Sequence, residues 1–368
     1  MGEKLVFSGY SSDTQVKTNH GWQLIQDVDV DYDKILSLDP KTFLIQYTKP
    51  KMVVQRHVKD TLYHFAHSTE DVLVTGNMLM LAHRENHVTG WQFIPANEIR
   101  KSYYMPLRGF QYDCQNDDTE QTYTLPAVRH GREEIIPPKE IPLLDWLEFF
   151  GYWLTCGYCT CMSDSGTRKF AVGIKKRDEN DEYVTNLFAR IGFSIKLYQE
   201  RGINVYEADS EQLYNCLSLY GEPCDRYIPE EFLELSVPYL ERLLLGCEMG
   251  KVRIHDDFIV YLSKSKQVIE GIQELLLKVY GLIGQVRYQY ISETGKPVLY
   301  WYIRACINDS IARYNTLCKR ATMTRYDDIA YGVVLEKNVA ILVRRNDTVS
   351  WCGGIFSRQD PRKRLETM

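Results

Sequence analysis

No apolar run in this chain of 368 residues approaches the roughly 20 residues that a helix needs to cross a bilayer. The opening stretch MGEKLVFSGYSS has no signal-peptide core. These absences lead to the expectation of a protein that is not secreted and has no membrane partner. Low-complexity tracts are missing too, which argues against a disordered chain. Histidine is scarce, with 8 residues. The 10 cysteines are scattered, and without a secretion signal they are expected to be free thiols in a reducing compartment. Positive charge is also short: 44 Lys and Arg stand against 49 Asp and Glu, a formal charge of −5. Such a chain is a poor default partner for a polyanion unless a local basic face overrides the total.

What the chain does have is apolar and aromatic surface, 44% and 12% of residues, with 26 tyrosines. That composition suits broad β structure. Short alternating runs such as DKILSL, TFLIQYT and DVLVTGNMLML fill residues 1–110 and predict an all-β module. Residues 111–142 are polar and proline-bearing, and read as a connector made of strands or linkers. From 143 to 317 the pattern becomes helix, strand, helix, hairpin, and it occurs twice, at about 143–222 and 223–317. Gly151 and Gly246 hold equivalent places in the two units. A further strand-rich piece covers 318–356, and 357–368 is a basic tail.

The stretch FFGYWLTCGYCTC, the lead-in RYIPEEFLELSVPYLERLLLG and the segment YLSKSKQVIEGIQELLLKVYG together resemble a LAGLIDADG homing endonuclease. That resemblance implies a pseudo-two-fold α/β domain whose halves meet through a helix pair, with Gly151 and Gly157 in one half and Gly246 and Gly250 in the other allowing close approach. It also implies an acid at the end of each motif helix to hold a divalent metal. Here Cys156 occupies the first such position and Lys251 the second. Glu248 would reach the site only by a three-residue slip, which turns it off the helix face. Mg²⁺ requires oxygen ligands, so the resemblance implies a lost nuclease with no metal and no cofactor.

The two chain ends, with GYSSDTQVKTNHGWQLIQDV and DVLVTGNMLMLA at one and YDDIAYGVVLEKNVAILVRRNDTVSWCGG at the other, resemble the parts of an intein-type Hint splicing domain. The implied fold class is therefore β plus α/β, with the LAGLIDADG-like domain inserted into a Hint-type β domain built from both ends. Splicing requires a nucleophile, a histidine and a terminal asparagine. The matching positions hold Gly9, Met78 (with Thr75 retained) and Gly354, so splicing is not expected.

Other groupings have a structural reading beside the chemical one. Cys156, Cys159 and Cys161 have zinc-like spacing, yet only Cys216 and Cys224 lie near in sequence as further ligands, and structural thiols are the preferred reading. His64 and His67, and His83 and His87, have metal-like spacings inside strand-like sequence, where a spacing of three divides side chains between faces. Three functions follow. The first expectation is an inactive derivative serving as an interaction or structural component, a minor virion protein or accessory subunit of a viral or phage assembly, in the virion or host cytoplasm. The alternative is a DNA-binding protein that uses the double sheet without cutting, with Arg253, Lys264, Lys266, Arg287 and Arg304 on its face. Residues 139–316 carry 20 Lys and Arg against 25 Asp and Glu, which weighs against the alternative. Residual nuclease activity is third.

Overall fold

The computed structural model describes residues 7–356 except 40, 43, 68–69, 85–90, 100–102, 106–120, 131–133, 165–166, 177–180, 251, 255–257, 294, 307–315, 318–320 and 337–339. The chain divides into two compact units. One comprises Met1–Asp113, Tyr280–Gln285 and Cys306–Met368, the other Cys114–Val279 and Val286–Ala305.

In the first unit, strands from both ends of the chain share sheets. Ala340–Arg345 lies between Gln15–Thr18 and Ile35–Leu38, with Gln15 opposite Arg344 and Ala340 opposite Leu38. The long strand Thr322–Leu335 runs antiparallel to Met52–His67 from Thr322↔His64 to Val334↔Met52. The reason is burial: Ala340–Arg345 and Thr348–Gly353 form a hairpin of buried residues, and an isolated hairpin is marginal in water. Asn346 and Asp347, both at positive φ (47° and 57°), make its two-residue turn, the twist that suits a hairpin. The shared core includes Tyr10, Val16, Ile35, Val74, Met78, Val333, Ile341 and Cys352.

The second unit contains the repeat. Helix α1 (Leu143–Cys156) leads into a four-stranded sheet made of Gly157–Asp164, Thr167–Lys176, Ile203–Asp209 and Lys196–Glu200 in that order. Helices α2 (Asp181–Arg190) and α3 (Glu211–Leu217) belong to this half. After the short α4 (Glu230–Leu233), α5 (Val237–Glu248) leads into a second four-stranded sheet with the same plan: Val252–Ile254, Phe258–Ser263, Lys296–Cys306 and Gln285–Glu293. Helix α6 (Lys266–Tyr280) takes the place of α2. The stretch read as a connector is strand from Thr122 onward. Thr122–Leu125 pairs with Lys139–Pro142, Leu125 and Ile141 are buried, and the Tyr123 ring stacks on Trp146 of α1 at 4.3 Å. Composition left strand and linker both open here, because Tyr123 and the buried Leu125 and Ile141 are single apolar residues among Thr, Pro and Glu.

Candidate nucleic-acid interface

Helices α1 and α5 touch backbone to backbone. A Cβ on Gly151 would fall 2.3 Å from the Leu243 carbonyl oxygen and 2.9 Å from the Cys247 nitrogen. One on Gly246 would fall 2.1 Å from the Glu148 carbonyl oxygen and 3.0 Å from the Tyr152 nitrogen. The contacts are reciprocal, each glycine meeting the residues three before and one after its counterpart, as a local two-fold requires. Gly250, just past the end of α5, would place a Cβ 1.7 Å from Thr155 Oγ1, so it too permits the approach. Gly157 does not: its Cβ would meet the Trp153 indole of its own helix at 2.2 Å, and its place is the C-cap of α1.

The pair is locked by a network around one buried carboxylate that the sequence did not reveal. Glu148 accepts hydrogen bonds from the Tyr183 hydroxyl (2.6 Å) on α2 and is ion-paired with Arg190 of α2 (2.9 Å) and Arg242 of α5 (3.3 Å). Its side chain is 3% exposed. Glu148 lies three residues before Gly151, and that helical spacing placed it at the interface. Below it, Arg226 closes the C-terminus of α1. Its guanidinium lies 4.0 Å over the Trp153 ring and donates to the carbonyls of Trp153 (3.0 Å), Leu154 (3.3 Å) and Gly157 (3.0 Å). A cation there also complements the helix dipole.

At the motif-helix ends, Cys156 is the last residue of α1, and its thiol donates to the Tyr152 carbonyl at 3.4 Å. Lys251 lies outside the described residues. Glu248 is turned into its own half, where its carboxylate accepts from the Tyr261 hydroxyl at 2.8 Å and burial raises its pKa. Among the described residues, no three His, Cys, Asp or Glu side chains group as a metal site. Burial pushes the Cys159 thiol up to about 12, away from the thiolate that zinc binding needs. Cys216 contacts the Tyr123 hydroxyl at 3.3 Å, and Cys161 and Cys224 are exposed. His64 is engaged by Asp71 (2.8 Å) and Arg345 (3.2 Å), while His87 lies outside the described residues.

Each sheet of the second unit has one buried and one open face. In the first sheet Val172, Ile174, Tyr206 and Ala208 are fully buried, and Phe170 on that face meets Tyr214 of α3 at 5.1 Å. Alternation and the register put Tyr158, Lys169, Lys175, Lys196, Tyr198, Glu200, Glu207 and Asp209 on the open face. Lys175 pairs with Glu200 at 2.6 Å, Lys196 pairs with Asp209, and Glu207 accepts from the hydroxyls of Tyr158 (2.6 Å) and Tyr198 (3.1 Å). That face is charge-balanced.

The second sheet is different. The Arg304 guanidinium lies 3.6 Å over the Phe258 ring, so the two share a face; Ile303 and Ala305 are on the buried one. The Tyr288 ring, itself 60% exposed, meets Trp301 at 5.6 Å. Trp301 alternates in step with Ile303 and Ala305. This puts Tyr288 on their side of the sheet and Arg287 on the opposite side with Arg304, Lys296 and Tyr302. Arg253 pairs with Val260 in the strand register, and its side chain lies outside the described residues. Lys264 is tied to Glu293 at 2.8 Å. Lys266 begins α6 and lies 5.0 Å over Trp301, on the helix side, so it does not belong to the face on which the sequence placed it.

In the first unit the positions matched to splicing blocks converge. The Gly9 N–H donates to Thr75 Oγ1 (3.0 Å) and the Thr75 N–H to the Gly9 carbonyl (2.9 Å). Met78 is fully buried, and the Asn77 side chain donates to the Phe7 carbonyl at 2.9 Å. The Tyr10 hydroxyl donates to the carbonyl of Gly353, next to the buried Gly354, at 2.7 Å.

No protein-family model matches the chain. Among curated proteins it is 24% identical over 284 residues to an ATP-dependent Clp protease proteolytic subunit of Chlamydomonas moewusii, covering 73% of this chain and 27% of that protein. It is 25% identical over 249 residues to a DNA-directed RNA polymerase subunit beta C-terminal section of Stigeoclonium helveticum, covering 64% of this chain and 22% of that protein. The chain thus spans about a quarter of the length of these relatives. Among solved structures it is similar to mesophilic variants of the homing endonuclease I-DmoI (12% identity, TM-score 0.37, 46% of this chain and 92% of that one). It is also similar to I-DmoI in complex with DNA and Mn, at the same identity and TM-score, covering 46% of this chain and 93% of that one. The N-terminal LAGLIDADG domain of DUF199/WhiA follows at 10% identity and TM-score 0.30, with 44% of this chain and 75% of that one.

Proposed function

We propose that this protein binds duplex DNA through the open sheet face of its second unit and does not cut it. The observation that carries the reading is the face holding Arg304, Arg287 and Lys296, where Glu293 is the single described carboxylate and Lys264 already holds it. Phosphate neutralisation supplies most of the free energy of non-specific DNA binding, and it depends on the charge a duplex meets rather than on the total. The acidic sum of residues 139–316 had favoured a structural component of a viral assembly. A duplex meets the local face rather than that sum, and on this face Lys264 already holds the one described carboxylate, Glu293. Loss of cleavage is supported by Cys156 at the end of α1 and by Glu248 held on Tyr261.

The first unit reads as the framework of a Hint-type splicing domain that has lost its reacting groups. Its support is the convergence of Gly9, Thr75 and Met78 near Gly353 and Gly354. The curated relatives fit this reading: one chain is similar to about a quarter of two proteins whose described activities are unrelated. Similarity to part of two such different proteins is what a segment inserted into different hosts would show.

The test is a binding assay of the full chain against a random-sequence duplex pool, with and without Mg²⁺. Retention of duplex with no strand breaks is expected. Failure to retain any duplex, or nicking that requires Mg²⁺, overturns the proposal.

A further inference from the structure

The two sheets of the second unit share one strand plan but not one electrostatic character. On the open face of the first sheet, lysines and carboxylates cancel. Lys175 and Lys196 are spent on Glu200 and Asp209, and Glu207 stands beside them, held by two tyrosine hydroxyls. A phosphate approaching Glu207 meets a fixed negative charge, and one recruiting Lys175 or Lys196 must first break an ion pair. On the open face of the second sheet, Arg304 has no carboxylate partner among the described residues, and its plane is fixed by the Phe258 ring at 3.6 Å. A guanidinium oriented in this way keeps its N–H edge available for a phosphate or a guanine, with little rotamer entropy left to lose. Arg287 and Lys296 lie on the same face.

We infer that the duplex is gripped by the second sheet alone, so that the protein reads one half-site and leaves the pseudo-symmetric half uncontacted. This rests on the DNA-binding reading above.

The test uses the full chain with a sequence enriched from a random duplex pool. Arg304→Ala is expected to weaken binding about tenfold or more. The double variant Lys175→Ala, Lys196→Ala is expected to change it by less than about twofold, because both lysines are already neutralised at the surface. Hydroxyl-radical footprinting of the unmodified protein gives an independent readout, with protection expected over a single tract on one side of the site. Two equal protected tracts, or equal losses from both sets of variants, would overturn the one-sided grip while leaving DNA binding intact. Failure of the unmodified chain to bind any duplex would overturn both.

Discussion

The side chain of Glu70 is 4% exposed, and burial lifts its carboxyl from the ordinary 4.5 to about 8. Its charge reaches the Cys352 thiol, itself pushed by burial up to about 12. Between pH 4.5 and 8 the folded chain keeps a proton that the unfolded chain has released, so stability falls as pH rises through that window and levels off above it. Glu70→Gln replaces the acid with a neutral side chain of the same shape. The variant is expected to melt at higher temperature than the parent at about pH 9 and to show a flatter profile down to about pH 6. Thermal scans across that range check this, and parallel profiles for the two proteins would refute it. Arg226 is the opposite case, a buried cation committed to three carbonyls and the Trp153 ring. Arg226→Met would leave three carbonyls at the end of α1 without a donor, with an expected loss of about 3 kcal/mol or more. Arg226→Lys should recover little of it, since an ammonium cannot stack on Trp153 while reaching all three oxygens. Urea denaturation measures both, and full recovery by lysine would sink the argument.

At the scale of the element, the helix pair was the most legible feature of the sequence. Gly151 and Gly246 hold matching places in two similar runs, and backbone contact between helices requires glycine at the crossing point. The network around Glu148 was less legible. In LLDWLEFFGYW that glutamate looks like an ordinary solvated helix residue, and its partners Arg190 and Arg242 lie far along the chain. Arg226 had no local signal, because a cap formed across 73 residues leaves none in its own neighbourhood. A charge sum is blunt for a similar reason: it cannot tell a paired lysine from an arginine without a carboxylate beside it. The crossing makes a sharp prediction. Gly246→Ala puts a methyl 2.1 Å from the Glu148 carbonyl oxygen and should cost about 3 kcal/mol or more through separation of the helices. Gly151→Ala should cost a similar amount. Once either helix has moved, the second methyl finds room, so the double variant should cost less than the two single costs added together. Additive costs in chemical denaturation would mean that the two contacts are independent, contrary to the reciprocal geometry.

For the molecule as a whole, the first unit bears on whether the proposed splicing framework merely lacks its reacting groups or has also closed over the place where they would act. The geometry favours closure. A Cβ on Gly9 would lie 2.9 Å from the Phe7 ring and 3.0 Å from the Tyr331 carbonyl oxygen. One on Gly353 would lie 2.1 Å from the Leu79 carbonyl oxygen, and Met78 is fully buried in the core of the unit. A nucleophile restored at Gly9 therefore has to displace packed atoms before it can attack the preceding peptide bond. Gly9→Cys is expected to lower the melting temperature and, in the presence of hydroxylamine, to yield no fragment at the bond before residue 9. That bond would become hydroxylamine-sensitive only if the thiol carried the acyl group as a thioester. The unmodified chain should likewise keep its full mass on prolonged incubation. Cleavage at residue 9 in the cysteine variant, read by intact-mass spectrometry, would show that the centre is open and only unarmed. Thr75, which already bonds the Gly9 backbone in both directions, would then be the residue still holding the scissile bond in place.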